Sequence, residues 1–511
     1  MSSTSNIVFK DYSPKQNLLF PPNLEELIDE NHPVRVVDRI IDVINIDGLL
    51  SSYKGGGTSS YHPRMLLKVI IYAYLRNIYS SRNIEDALKE NIHFMWLSGM
   101  SRPDHNTIFR FRSKRLKDQI KKVFTKVVEL LVAEGQISLK EVYIDGTKIE
   151  ANANRYTFVW GNAIKSNKEK IQKQLKDLWV YVEKVYKNEE QELESPDFEE
   201  ITPEKVEKAI AQINEALEDK KICKEVKQKL RYASQKWPDK LREYQEKEEV
   251  LEGRSSYSKT DRDATFMRMK DDHMQNGQLK PGYNVQISTN NKFITCYTLE
   301  QTTTDTTTLP AHLQCFYDSF GLYPEAVTAD SGYGSEENYD ILEENQITPY
   351  VKYNYFHSEG TKKWMAKNQF RPEYLHYNEE LDCFYCPMGQ QMHKVGTKIK
   401  ETKTGYKQQL TLYQAQNCKH CPMRGVCHKA PRNRIIEVNQ NLRRHKQRVK
   451  ELLTSEKGIK KRKQRAYDVE GTFGELKNNK AFKRFMLRGK EKVSVEFGIL
   501  AIAHNLSKIS A

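Results

Sequence analysis

Apolar positions recur at spacings of three and four near the start of the chain. Val34, Val37 and Ile41 form one such stripe, and Leu66, Ile70 and Tyr74 another. This is the pattern of helices that bury one face. It predicts a helical region from His32 to about Glu134, parted by the Gly55-Gly56-Gly57 run and preceded by a polar arm over residues 1–30. Within it, Ser101-Arg102-Pro103-Asp104-His105-Asn106-Thr107-Ile108-Phe109-Arg110-Phe111-Arg112 reads as a capped start running into a basic helix.

The pattern then changes to short apolar runs. Val142-Tyr143-Ile144 leads into Asp145-Gly146-Thr147, and Ala326-Val327-Thr328-Ala329 into Asp330-Ser331-Gly332-Tyr333. Each predicts a strand that ends at its aspartate. Tyr283 to Ser288, an Asn290-Asn291 turn and Phe293 to Leu299 predict a β-hairpin. A helix from Leu309 to Phe320 and a strand at Thr348 to Tyr353 follow. Strand, hairpin, helix, strand, helix, strand is a mixed α/β layout.

Two segments interrupt it. Over residues 160–253, rich in Lys and Glu, Ile171, Leu175, Leu178, Val182 and Val185 alternate spacings of four and three. Val206, Ile210, Ile213 and Leu217 do the same after a Thr202-Pro203 start signal. The expectation is two or three antiparallel helices, a hairpin or short coiled coil acting as spacer or dimer contact and broken by an acidic stretch from Asn188 to Glu200. The second interruption is cysteine-rich. The resulting division is a helical part (1–134), a core in two pieces (135–159 and 254–360), the helical insertion (160–253), a cysteine-rich insertion (361–436) and a basic helical end (437–511).

Length and charge sharpen this picture. A chain of 511 residues implies several domains. The net charge of +14 favours a polyanionic partner. Lys and Arg are densest between Arg443 and Lys492, and a basic helix carrying Arg110 and Arg112 could dock on DNA. The plainer reading of that helix is packing through Ile108 and Phe111. No apolar run approaches the ~20 residues of a membrane span, and no export signal is visible at Met1 to Asn6, so a cytoplasmic location is expected. Of eight cysteines, Cys223, Cys296 and Cys315 are scattered. Cys383, Cys386, Cys418, Cys421 and Cys427 cluster, which reads as metal binding.

Asp145, Asp330 and Glu470 are the candidate chemistry. Carboxylates at the ends of two buried strands, facing a third on a basic helix, can hold divalent cations against a phosphodiester. Without cations, three such groups repel one another. Each alone has a plain reading, a turn or a solvated helix residue; their order in an α/β layout makes them a set. Asp305, in a Thr-rich turn, is a lower-ranked rival for the second acid. Glu470, Phe473 and Lys477 fall on one helical face, where Lys477 could hold a phosphate.

These blocks resemble the DDE transposases of bacterial insertion sequences, in particular the eleven-eighty-two family of the insertion-sequence-four group. Tyr61-His62-Pro63-Arg64-Met65-Leu66-Leu67-Lys68 and Arg102 to Ile108 look like its amino-terminal helical domain. Tyr143-Ile144-Asp145-Gly146-Thr147-Lys148, Ala329-Asp330-Ser331-Gly332-Tyr333 and Asp468-Val469-Glu470-Gly471-Thr472-Phe473-Gly474 with Lys477 look like its three catalytic blocks. The resemblance implies a ribonuclease H-like core, cleavage at the ends of a mobile element and joining to a target. It also implies Mg²⁺ or Mn²⁺ held by Asp145, Asp330 and Glu470, DNA partners (terminal inverted repeats and target), a homodimer on paired ends and association with the nucleoid. The group's Tyr-x₂-Arg-x₃-Glu-x₆-Lys signature keeps its last spacing here. Its Arg place is Ala466, with Arg465 beside it as a substitute phosphate contact, and its Tyr place is Lys463.

For the cysteines, spacing alone favours Cys383, Cys386, Cys418 and Cys421 as a structural Zn²⁺ set. The resemblance points instead to Cys386, Cys418, Cys421 and Cys427, with Cys383 in reserve.

Overall fold

The computed structural model describes residues 23–53, 60–187, 196, 198–218, 220, 222–269 and 277–510. The first 22 residues, the Gly55-Gly56-Gly57 run and most of the acidic stretch after Asn188 lie outside them. The strands are β1 (Glu141–Glu150), β2 (Phe158–Trp160), β3 (Ser256–Ser258), β4 (Thr265–Arg268), β5 (Leu279–Asn290), β6 (Phe293–Glu300), β7 (Ala326–Ala329) and β8 (Thr348–Val351). They continue with β9 (Tyr377–Asn378), β10 (Cys383–Tyr385), β11 (Gln391–Glu401), β12 (Lys407–Ala415) and β13 (Ile435–Val438).

The central sheet has the order β4-β5-β1-β7-β8, with β6 also paired to β5. β5 and β6 form the expected hairpin, β5 runs antiparallel to β1, and β7 and β8 run parallel to it. Side chains alternate across β1. Val142 and Ile144 enter one apolar cluster, with the helices Leu309–Phe320, Glu336–Glu344 and Gln440–Thr454. Tyr143 and Ile149 enter another, on the opposite face.

That second cluster is continuous with the helical start of the chain. Val34, Val37, Ile41, Leu66, Ile70 and Tyr74 share it with Val285 and Tyr297 of the sheet and with Phe497 and Leu500 of the helix Lys490–Ile509. The helical start thus has no separate interior; its apolar stripes close over the sheet through that last helix.

The insertion after β2 forms three helices, Gly161–Lys187, Pro203–Ala216 and Lys224–Leu251. Thr202 caps the second through Lys205 N at 3.2 Å. Ile171, Leu175, Leu178, Val182, Val206, Ile210, Ile213 and Leu217 make their shared core. The cysteine-rich segment is built on a second sheet, ordered β13-β12-β11-β10-β9.

Candidate active site

Asp145 does not end its strand, contrary to the sequence expectation. β5 pairs with β1 from Tyr143 through Glu150, and Thr147 and Ile149 sustain the alternation. The strand that stops is β7, whose pairing with β1 runs from Glu141↔Ala326 to Tyr143↔Thr328. Extending that parallel register by two residues sets Asp330 beside Asp145 on the same face, where β7 has already ended. The notch beyond the ends of parallel strands is a common ligand site in α/β sheets. Asp145 is 3% exposed. Asp330 is fixed by its own turn, its Oδ1 accepting from Gly332 N at 2.8 Å.

The basic segment closes the notch. The helix Glu456–Arg465 is pinned over β1 because Lys461 and Lys457 both pair with Glu141, the first residue of that strand. Its last residue, Arg465, is 6% exposed. One guanidinium nitrogen lies 3.5 Å from Asp145 Oδ1 and 3.7 Å from Asp330 Oδ2; the other lies 2.7 Å from Glu470 Oε1. All three sequence-predicted acids therefore converge on one cation. This corrects the reading of Arg465 as a phosphate contact: it is buried among carboxylates.

The local backbone explains how Arg465 reaches Glu470. The resemblance sets an arginine four residues before the glutamate, an α-helical spacing; here the separation is five. Ala466–Glu470 is a π-helical turn, whose repeat brings positions five apart onto one face. A second π turn, Glu475–Asn479, follows the short α-turn Gly471–Gly474. As a result Glu470, Phe473 and Lys477 do not present one uniform face. Glu470 is about half exposed, Phe473 is in the core and Lys477 is half-buried.

Asp305, ranked below Asp330 in the sequence, lies beneath the notch. Its Oδ1 accepts from Asn284 Nδ2 at 2.7 Å and Gln286 Nε2 at 2.8 Å. A Cβ on Gly146 would stand 2.5 Å from that oxygen, so glycine is what lets Asp305 approach β1. Tyr333 donates to Gln286, and burial, then the charges of Asp305, Asp145 and Asp330, push its hydroxyl well above the ordinary tyrosine range. Lys352 follows β8 and faces the same acids. Burial, then Arg465 and Arg462, lower its pKa, while Asp330 and Glu470 oppose them. Nothing in the sequence pattern marked Lys352, since its position depends on where β8 stops.

The two arginines expected to face DNA divide. Asp104 caps the helix His105–Arg110 as read, accepting from Thr107 N at 2.9 Å, and Arg110 is exposed at its end. Arg112 is 2% exposed. A π turn at Phe111–Arg115 swings it inward, where it donates to Tyr74 Oη at 2.8 Å and to the Tyr79 carbonyl at 2.7 Å. It is a core residue, not a groove contact.

In the second sheet, Cys386, Cys418, Cys421 and Cys427 line one cavity of about 20 Å³ with His428 and Arg434. Cys383 does not; it is fully buried in β10. The four cysteines suggested by the resemblance thus share this cavity lining. Arg434 directs its backbone N–H at Cys418 Sγ (3.4 Å) and its guanidinium at Cys427 Sγ (2.9 Å). Both ring nitrogens of His428 are buried without a hydrogen-bond partner among the described residues. Soft sulfur donors and an orphaned imidazole fit a zinc ion.

Among the described residues, the group of metal-type ligands whose donor atoms all lie within 4.8 Å of one another is Asp340, Glu343 and His445. His445 Nε2 lies 2.6 Å from Asp340, Asn441 also donates to Asp340, and Arg444 and Arg448 pair with Glu343 at 2.6 Å. These donors already occupy the carboxylates, and the cluster joins the helices Glu336–Glu344 and Gln440–Thr454.

Comparison with known families agrees with this geometry. Residues 385–510 match the family described as transposase DDE domain, and residues 22–114 match the family described as transposase domain (DUF772). The first match contains Glu470 and the four gathered cysteines; Asp145 and Asp330 lie between the two. No curated protein and no solved structure gives a significant match. The two matches support an insertion-sequence transposase, an enzyme that acts on DNA. A DDE domain implies a ribonuclease H-like α/β core, and the mixed sheet with helices on both faces is consistent with one. No helix among the described residues is long and apolar enough to cross a membrane.

Proposed function

We propose that the chain is a DDE transposase of the eleven-eighty-two type, cutting DNA at the ends of an insertion sequence and joining those ends to a target. The observation that carries this reading is the convergence of Asp145, Asp330 and Glu470 on the single guanidinium of Arg465. Three carboxylates that meet around one cation suit Mg²⁺ or Mn²⁺, which prefer hard oxygen donors. When bound, such ions activate an attacking oxygen and stabilise the departing one. Asp145 and Asp330 supply oxygens from the rigid sheet edge, and Glu470 supplies one from the helix above. Arg465 leaves the acids as cations replace it. Lys477, Arg110 and the basic helices grip the DNA backbone, so binding weakens steeply with salt. Two copies act on paired ends. The four cysteines hold a structural zinc that shapes the second sheet.

The test is Asp145→Asn. It is expected to retain binding to terminal-repeat DNA and to lose Mg²⁺-dependent strand cleavage by at least about a thousandfold. Cleavage at the wild-type rate would remove Asp145 from the site. A nuclease that cuts without joining is separated by a strand-transfer assay, in which joined products support the transposase.

A further inference from the structure

Level with Ile144 but two strands across the sheet, on the face covered by the helix Leu309–Phe320, two cysteines the sequence left scattered meet. Cys296 lies buried on β6 and Cys315 half-buried on the helix Leu309–Phe320. Their sulfurs are 3.6 Å apart, with the Cys296 thiol directed at Cys315. The ammonium of Lys121, from the helix Ile120–Ala133, is 3.4 Å from Cys315 Sγ. Cys315 and Lys121 both line an open cavity of about 840 Å³, which also carries Lys122, Lys126 and Lys490 at its wall.

Thiol reactivity follows the thiolate, and a thiolate is favoured by a nearby cation and by donors to sulfur. Cys315 has both. The Cys296 thiol and, with it, Lys121 draw its pKa down to about 6, while burial opposes them. Cys296 is pushed the other way, by its bond to Cys315 and by burial. A half-buried sulfur at the cavity wall, beside an ammonium, therefore sits against a second, fully buried thiol. Disulfide formation requires the two sulfurs to close to about 2.05 Å, a shift of roughly 1.5 Å.

We propose that Cys315 is a modification site for hydroperoxides and soft electrophiles, and that Cys296 resolves its oxidation as an intramolecular disulfide. The Cys315 thiolate attacks one oxygen of hydrogen peroxide, the O–O bond breaks and hydroxide leaves, giving a sulfenic acid. Cys296 sulfur then attacks Cys315 sulfur, the S–O bond breaks, and the departing oxygen leaves as water with the Cys296 proton. Two thiols lose two electrons together, and one peroxide is reduced to water. The bond would tie the edge strand β6 to the helix that covers it.

The test uses the full-length protein and hydrogen peroxide, with peptide mapping by mass spectrometry. The expected product is a Cys296–Cys315 cross-linked peptide lacking two hydrogens. Cys296→Ser is expected to accumulate a Cys315 sulfenic acid that a dimedone probe traps. Before oxidation, iodoacetamide should label Cys315 several-fold faster than the exposed Cys223. Lys121→Gln, a change at an exposed residue, should erase most of that advantage while leaving circular dichroism unchanged. A mapped product without the Cys296–Cys315 link, or Cys315 labelling no faster than Cys223, would overturn the proposal.

Discussion

At the scale of single residues, Arg465 decides the character of the site. Asp145 is buried, and its charge is balanced by a guanidinium shared with Asp330 and Glu470. Removing the guanidinium takes that balance from the buried Asp145, which is destabilising, while Asp330 and Glu470 are partly exposed and can be screened by water. Arg465→Gln is therefore expected to lower the metal-free protein's thermal midpoint. It should also tighten Mn²⁺ binding several-fold, because the ions no longer compete with a tethered cation; titration calorimetry checks this. An unchanged Mn²⁺ affinity would mean that the guanidinium and the ions do not share a place. The three acids were legible in the sequence because Asp145 and Asp330 each follow a short apolar run and Glu470 lies in a basic helical segment. The inward turn of Arg112 was not, because the oxygens that accept from it belong to Tyr74 and Tyr79, far off in the chain.

At the scale of elements, periodicity told most of the story. The helix Leu309–Phe320 has the limits expected from the sequence, and the insertion's stripes are its buried faces. The failures have a common physical origin. Apolar spacing identifies an α-helix but carries no mark of a π turn, so the regions around Arg112 and Glu470 were read in the wrong register. Likewise, the end of β1 was assigned from its own residues, whereas its length is set by β5. The second sheet depends on chemistry more than on pattern, since its apolar cluster is small and includes Cys418. Zinc at the four gathered cysteines should supply much of its stability. Freshly purified, reduced protein is expected to contain close to one zinc per chain. Cys418→Ser should lose it, with proteolysis then concentrated between β9 and β13; elemental analysis finding no zinc in the unaltered protein would sink this expectation.

At the scale of the whole molecule, acid should loosen the fold. His312 is buried, and burial, then Lys121, push its imidazole down to about 3. His504 is buried in the other cluster's helix and is lowered as well, by burial first. An unfolded imidazole titrates near 6.5. Between that value and the lowered one the unfolded chain binds more protons, so these groups' contribution is intact above about pH 6.5. It is lost as pH falls, by up to ~1.4 kcal/mol per pH unit for each imidazole. Urea midpoints should drop between pH 7.5 and 5, and His312→Gln should flatten that drop. A pH-independent midpoint would contradict it.

The closing of the larger apolar cluster by the helix Lys490–Ile509 has a consequence for biosynthesis. Tyr74 donates to Glu496 across 422 positions of sequence. The first helices thus leave the ribosome long before the segment that shields them is translated. Contacts so distant along the chain are slow to form, and a nascent chain with its early stripes uncovered is open to chaperone capture and degradation. Any frameshift upstream of the last helix would therefore abolish accumulation of the protein as well as its catalysis.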